Sequence, residues 1–479
     1  MSPAADSSQA PSTLAPVVLK FGGAALADGP GIRRVGSILA SRGGARPIAV
    51  VSAAAGVTEL LLQVAAAAAE GRWELERVRV RHRSLLSQCG LDPELLNRML
   101  AELASVLEGI RERRKVTPAE RDFVLSFGER MSARVVAAAL RAGGRDATPV
   151  DAFDLGLISD SNHGRARPIV GTGAAIRRAL AEVPGVPVVT GFVAKDAAGN
   201  LTTLGRNGSD LSASLLAEAC GAREVQFWKV VGGVMSADPS MVPDARPLAR
   251  LSYMEAAEYA FRGANVLHPG ALEPLERSGI PARVLCFADP DGEGTWIGPA
   301  EPRAEEPTGP AAVGVTLKRG AALVRVDVGA LEDRSRRVGE FQAELARADV
   351  EPLWLASGPR ELSLICVWSD ELASLLSRQT LSVAIERALA LVALVGPNAN
   401  SVEAAARALE EAAIEVRVHW AETGGAAAAR VPRRGSEVRD PEPERSSAVF
   451  VVSEALAPSA LRAVHSAVFQ ARMPLPTGF

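Results

Sequence analysis

The sequence predicts an α/β sandwich built on a mostly parallel sheet, followed by two small α+β units. Three observations carry that prediction. From residue 16 to about 289, short β-branched runs alternate with longer helical stretches, a pattern that builds parallel sheets covered by helices. Residues 298–312, GPAEPRAEEPTGPAA, interrupt it with a Pro-, Glu- and Ala-rich stretch that reads as a linker. Beyond it come two weakly similar halves, each with a strand, a helix and two further strands.

Residues 1–16 have neither a cationic start nor an apolar stretch and read as a disordered leader, not a signal peptide. VVLKF (17–21), PIAVVS (47–52), ATPVDAF (147–153), VPVVTGFV (186–193) and VQFWKVV (225–231) are predicted buried strands. Between them, residues 33–41, 59–69, 122–142 and 209–220 are predicted helices. This first domain is expected to span 17–298, with the linker over 299–312. Ligands on such sheets bind outside the carboxyl ends of strands, so the turns after strands are where a site belongs. The first C-terminal unit, 313–386, is expected to run strand 322–328, helix 333–348, strand 351–355 and strand 362–368. The second, 387–479, repeats that order at 390–395, 401–413, 415–420 and 448–453. Inside it, residues 424–447 mix five arginines with four acidic residues and read as a solvated inserted loop.

Composition narrows the function classes. The balance of 53 basic against 56 acidic residues, 53 − 56 = −3, argues against a dedicated nucleic-acid binder. No apolar run approaches the roughly 18 residues a membrane span needs, so no membrane partner is expected. Cys89, Cys220, Cys286 and Cys366 lie far apart, without CxxC or a Cys/His cluster. No protein-held metal is therefore expected, and dispersed thiols suit a reducing, cytoplasmic setting.

Three local motifs carry chemistry. Lys20-Phe21-Gly22-Gly23 ends the first strand. Two glycines there let backbone N–H groups approach an anion, and a lysine beside them can neutralise a transferring phosphoryl group. A tight strand–helix turn explains the glycines equally well. Gly205-Arg206-Asn207-Gly208-Ser209-Asp210 is a glycine-bearing turn feeding a helix. Arg206 offers a fork for a carboxylate or phosphate, and Asp210 either complements the helix dipole or orients Lys20 or a metal. Within a helical run, Ser126-Phe127-Gly128-Glu129-Arg130-Met131-Ser132-Ala133 sets a glutamate among apolar residues. A part-buried carboxylate there needs a cation such as a substrate ammonium; a surface Glu129–Arg130 pair is the alternative.

Taken in order with Val51-Ser52-Ala53-Ala54-Ala55-Gly56-Val57-Thr58, these motifs make residues 17–298 resemble the aspartate kinases of the amino-acid kinase superfamily. That pattern runs KFGG, VVSA…GVT, SxGER…SA, GF…TTLGRxGSD and GAxVLHP. Thr202-Thr203-Leu204 precede Gly205 here, and Gly263-Ala264-Asn265-Val266-Leu267-His268-Pro269 come later. The paired C-terminal units resemble, more weakly, that family's ACT regulatory domains. The resemblance implies transfer of the ATP γ-phosphate to the side-chain carboxylate of L-aspartate, with Mg²⁺, as a first step toward lysine, threonine and methionine. It implies that Lys20, Gly22 and Gly23 hold the phosphoryl group and that Asp210 holds Lys20. Arg206 would clamp a substrate carboxylate and Glu129 the α-ammonium, with Ser52, Thr58 and Ser209 adding hydrogen bonds. An amino-acid effector at the ACT-like units and a homodimer are further implications.

The nucleotide half departs from that pattern. Ala24-Ala25 replace Thr-Ser after KFGG, and Trp228-Lys229-Val230-Val231-Gly232-Gly233-Val234-Met235 stands where the family has Trp-Thr-Asp-Val-Asp-Gly-Ile-Tyr. Asp238-Pro239-Ser240 replaces Asp-Pro-Arg, and Asn265 replaces a lysine. Lys229, Val230, Asp238 and Asn265 are the positions expected near the nucleotide. Lys229 either supplies a compensating cation or lies solvated at a strand end, and His268 is expected to be a packing residue. Two function classes result: an aspartate kinase, or a catalytically weak or silent amino-acid-binding regulatory protein that keeps the aspartate pocket. A kinase for another amino acid or donor is a third possibility.

Overall fold

The computed structural model describes residues 15–42, 46–169, 171–264, 267–300, 312–329, 331–423 and 445–469. These form two compact units. The first takes the described residues through Val234 together with Pro247–Ala257 and 267–300; the second takes Met235–Arg246, 258–264 and the described residues from 312 onward. Two segments ahead of the expected boundary at 298 thus belong with the C-terminal unit. The expected leader, linker and inserted loop fall mostly outside the described residues.

The first unit is organised by an eight-stranded sheet. Its strands are β1 (Val17–Phe21), β2 (Pro47–Val51), β3 (Ala147–Val150), β4 (Val186–Thr190), β5 (Glu224–Lys229), β6 (Arg250–Ser252), β7 (Ala282–Cys286) and β8 (Thr295–Gly298), in spatial order β6-β8-β7-β5-β1-β2-β4-β3. All neighbours pair in parallel except β7 with β8. Helices α1 (Gly29–Arg42), α2 (Val57–Ala69), α3 (Leu75–Gln88), α4 (Asn97–Arg113), α5 (Pro118–Ala142), α6 (Gly173–Ala181), α7 (Gly208–Cys220), α8 (Tyr253–Phe261) and α9 (Pro269–Ser278) complete its helical set, α8 running on into the second unit. Strands covered on both faces read as continuous apolar runs, and β1, β2 and β4 are buried at every residue. Alternation sends Val17, Leu19 and Phe21 into the core shared with α1–α5, leaving Lys20 on the opposite face.

Lys20 lies between Val50 of β2 and Phe227 of β5, in the middle of the sheet. Helix α5 starts earlier than the apolar period suggests, because Thr117, Pro118 and Glu120 form a capping box. Within it, a Cβ on Gly128 would come within 2.7 Å of the Ala53 Cβ. Only glycine lets α5 approach the turn after β2 this closely. Gly128→Val is therefore expected to destabilise the protein by about 1–3 kcal/mol through overpacking, measured by urea unfolding.

In the second unit the two expected halves share one antiparallel sheet. Strands β9 (Gly314–Asp327), β10 (Trp354–Ser357), β11 (Glu361–Val367), β12 (Val383–Val395), β13 (Val416–Thr423) and β14 (Arg445–Ser453) lie in the order β10-β11-β9-β12-β14-β13. Their helices are α10 (Leu331–Arg347), α11 (Asp370–Ser377), α12 (Ala399–Glu411) and α13 (Ala457–Phe469). Strands β9 and β12 extend well beyond the predicted 322–328 and 390–395. A register shift near Gly320 (φ 71°) and a positive φ at Ala388 interrupt their alternation, which hides the length from a period-two pattern. The inserted segments are fastened within this unit. Ser236 Oγ lies 3.0 Å from His465 Nε2, and the buried Arg262 donates to the Leu353 carbonyl and the Ser447 hydroxyl.

Candidate active site

A cavity of about 410 Å³ opens at the carboxyl ends of β1 and β2. Residues from five places in the chain line it: Lys20 and Gly23 at the end of β1, Ser52 to Gly56 and Thr58 after β2, Glu129 on α5, Phe192 after β4, and Gly205 to Ser209 ahead of and into α7. The first residues of α2 and α7 are both part of this wall, so two positive helix ends meet at one cavity. The structure thereby brings together Lys20, Gly23, Ser52, Thr58, Glu129, Arg206 and Ser209. Gly22 adjoins them, since a Cβ there would lie 3.8 Å from Lys20 Nζ.

Gly22 has φ −75°, and Gly23 is required by close approach: a Cβ on it would stand 2.7 Å from the Ala53 carbonyl oxygen. The chain then makes a single four-residue 3₁₀ turn, Gly23–Leu26, and the α-helix ends at this site are those of α7 and α2.

Lys20 Nζ meets Asp210 Oδ1 at 2.5 Å, and both residues are buried. Asp210 sits in the first turn of α7 without capping it, because its other oxygen accepts from Lys229 Nζ at 2.9 Å. Burial would raise its carboxyl pKa, but the two ammonium groups outweigh that and hold it below the ordinary value. Lys229, at the end of β5, is thus held in an ion pair and is not freely solvated. Val230 and Val231 beside it are exposed, since β5 ends at Lys229 and not at 231 as predicted.

Glu129 is buried, 4% exposed, and its Oε2 has no hydrogen-bond partner. Burial pushes its carboxyl up to about 8, against the opposing influence of the Ala53 N–H, its own N–H and the Lys20 charge. Arg130 takes a different direction, toward Asp151 and Glu102, so no surface Glu129–Arg130 pair forms. Ser132 accepts a hydrogen bond from Ala54 N at 3.1 Å and steadies the turn after β2. Arg206 is exposed at the cavity and makes no ion pair among the described residues.

Other predicted positions lie elsewhere. Asp238 is exposed in the second unit, where its carboxylate accepts from Ser240 N and Oγ. Asn265 lies outside the described residues. His268 is exposed and caps α9 by accepting from Gly270 N; it is not a packing residue. Sequence reasoning missed Asp122, whose fully buried carboxylate accepts from Thr203 N, Thr203 Oγ1 and Gly164 N. It anchors the strand that leads into Gly205 and Arg206. It also missed Phe192, which lines the cavity at a φ of 67°, rare for an aromatic residue.

The chain is similar in sequence and fold to known proteins. Residues 15–286 match the amino acid kinase family. Lysine-sensitive aspartokinase 3 of Escherichia coli K12 is 32% identical over 401 residues, which cover 79% of this chain and 87% of that protein. Chloroplastic aspartokinase 1 of Arabidopsis thaliana is 33% identical over 321 residues, 64% of this chain. The match spans 56% of that protein's length. A solved structure of E. coli aspartokinase III in complex with aspartate and ADP superposes with a TM-score of 0.76 at 28% identity, covering 95% of this chain and 99% of the other.

The chain belongs to the amino acid kinase family. Within it, its relatives include aspartokinases.

Proposed function

We propose that the protein is an aspartate kinase that transfers the ATP γ-phosphate to the side-chain carboxylate of L-aspartate. The observation that carries this reading is the buried Lys20–Asp210 ion pair beside a buried, unpartnered Glu129 on one cavity. Glu129 would receive the α-ammonium, supplying the partner its buried oxygen lacks. Arg206 would bind the α-carboxylate bidentately, with Ser52, Thr58 and Ser209 donating hydroxyl contacts. Lys20 and the Gly22–Gly23 turn would meet the transferring phosphoryl group. Phosphoryl transfer needs positioning and charge stabilisation more than covalent help, which suits a site made of cations and helix ends.

Among the described residues no three His, Cys, Asp or Glu side chains group to hold a metal ion. Both oxygens of Asp210 already face lysines. On this reading a divalent ion would arrive on the nucleotide phosphates, with few protein oxygens beside it. An effector site in the second unit, a homodimer and a place in cytoplasmic amino-acid biosynthesis belong to the same reading. Lysine sensitivity is named for the E. coli relative, and no described helix is long and apolar enough to cross a membrane.

A second reading, an amino-acid-binding regulatory homologue without turnover, draws on the hydroxyls lost at Ala24 and Ala25. One assay separates the two: incubation with ATP, aspartate, Mg²⁺ and hydroxylamine, which traps aspartyl phosphate as the hydroxamate. Aspartate-dependent hydroxamate is the expected result. A folded protein that binds aspartate and yields none would overturn the kinase assignment.

A further inference from the structure

We propose that Lys229 is the donor-side cation of the phosphoryl-transfer site, so that Asp210 carries two ammonium groups that bracket the group in flight. This rests on the kinase reading above. Lys20 takes Oδ1 and lines the acceptor cavity; Lys229 takes Oδ2 and lies outside that lining, partly open to solvent, with 27% of its side chain exposed. The two lysines come from adjacent parallel strands, β1 and β5, so the sheet itself fixes their spacing.

The charge balance distinguishes a functional cation from a structural one. One lysine already neutralises the buried Asp210 carboxylate. A second leaves an excess positive charge at a largely desolvated centre, which costs stability unless an anion joins it. Glu129, on the cavity side, does not cancel that charge while burial keeps its carboxyl protonated. A donor phosphate supplies the missing anion. The exposed Val230 and Val231 that come after Lys229 give an apolar surface next to the cation, a combination suited to a nucleoside polyphosphate.

In the step itself, an oxygen of the aspartate side-chain carboxylate attacks the γ-phosphorus and a new P–O bond forms. The bond from that phosphorus to the bridging oxygen breaks, and its electron pair stays on the β-phosphate of ADP. No proton has to move. Negative charge develops on the leaving oxygen, which Lys229 would stabilise from Asp210 Oδ2, while Lys20 would meet the equatorial oxygens.

The test compares wild type with Lys229→Met and Lys229→Arg, using ADP and ATP binding by calorimetry, aspartate binding, hydroxamate turnover and thermal unfolding. Lys229→Met is expected to weaken nucleotide binding at least tenfold and to lower turnover by about 10²–10³, with aspartate affinity unchanged. Lys229→Arg, which keeps the charge, is expected to recover part of both. Turnover by the wild type with equal turnover and nucleotide affinity in Lys229→Met overturns the Lys229 assignment and leaves the kinase reading standing. A wild type that binds nucleotide without turnover, with binding lost in Lys229→Met, overturns the kinase reading but keeps the donor contact. Equal losses of aspartate binding, nucleotide binding and stability in both variants mark a structural lysine and overturn the assignment. So does a wild type that binds neither ADP nor ATP.

Discussion

Replacing Lys20 with methionine is expected to reduce hydroxamate turnover by about 10³ or more while leaving the protein folded. The two halves of that expectation have separate causes. Lys20 is the ammonium that lines the cavity, so its loss removes the charge that meets the phosphoryl oxygens. Breaking a buried ion pair usually destabilises by about 3–5 kcal/mol, because it strands the remaining charge. Here Asp210 keeps Lys229 at 2.9 Å, so the carboxylate is not stranded and the loss of stability falls below that range. Asp210→Asn is the contrasting case. It leaves two ammonium groups facing each other without a counter-ion and is expected to reach the full range of about 3–5 kcal/mol. Chemical unfolding of the two variants checks the order, and Lys20→Met proving the less stable would overturn the shared-carboxylate picture. Turnover by Lys20→Met equal to that of the wild type would sink the role of Lys20 altogether.

Much of this site is legible from residue order, and the reasons are physical. Lys20 and the Gly22–Gly23 turn belong to a strand whose every residue is buried and to the bend that ends it, and Gly205 to Asp210 open a helix; such turns announce themselves by glycine spacing. Glu129 is legible because a carboxylate amid apolar helical residues demands a partner. For Lys229 the position is legible but its ion pair is not, because a lysine ending a strand looks the same whether its head is solvated or bound, and its partner is 19 residues away. Asp122 is invisible for a related reason. An acidic residue in the first turns of a helix looks like a dipole complement, yet this one accepts hydrogen bonds from residues up to 81 positions distant. In the second unit, irregularities near Gly320 and Ala388 conceal about half the length of two strands, and the closure of both halves into one sheet depends on pairings that no local pattern encodes.

Glu129→Gln tests the acceptor half with a pH signature that a merely structural residue would not show. With its carboxyl near 8, Glu129 is protonated in the free protein at neutral pH, and binding a substrate ammonium requires that proton to leave. Aspartate affinity of the wild type is therefore expected to rise about tenfold between pH 7 and pH 9, which is one pKa unit's worth of competition removed. Folding stability runs the other way. The unfolded chain releases this proton near the ordinary 4.5 and the folded chain only near 8, so the stabilisation is complete below 4.5 and is lost as pH rises toward 8. Across that window the loss approaches about 1.4 kcal/mol per pH unit from this one group. The amide introduced by Glu129→Gln cannot ionise. That variant is expected to bind aspartate at least about 10²-fold more weakly at pH 8.5, consistent with the loss of a buried charge-assisted contact, and both pH slopes should flatten. Calorimetric titration of aspartate and thermal unfolding at about pH 5.5, 7 and 8.5 read the two slopes separately. Flat affinity in the wild type, or unchanged affinity in the variant, would remove Glu129 from the ammonium site even if the stability slope is seen.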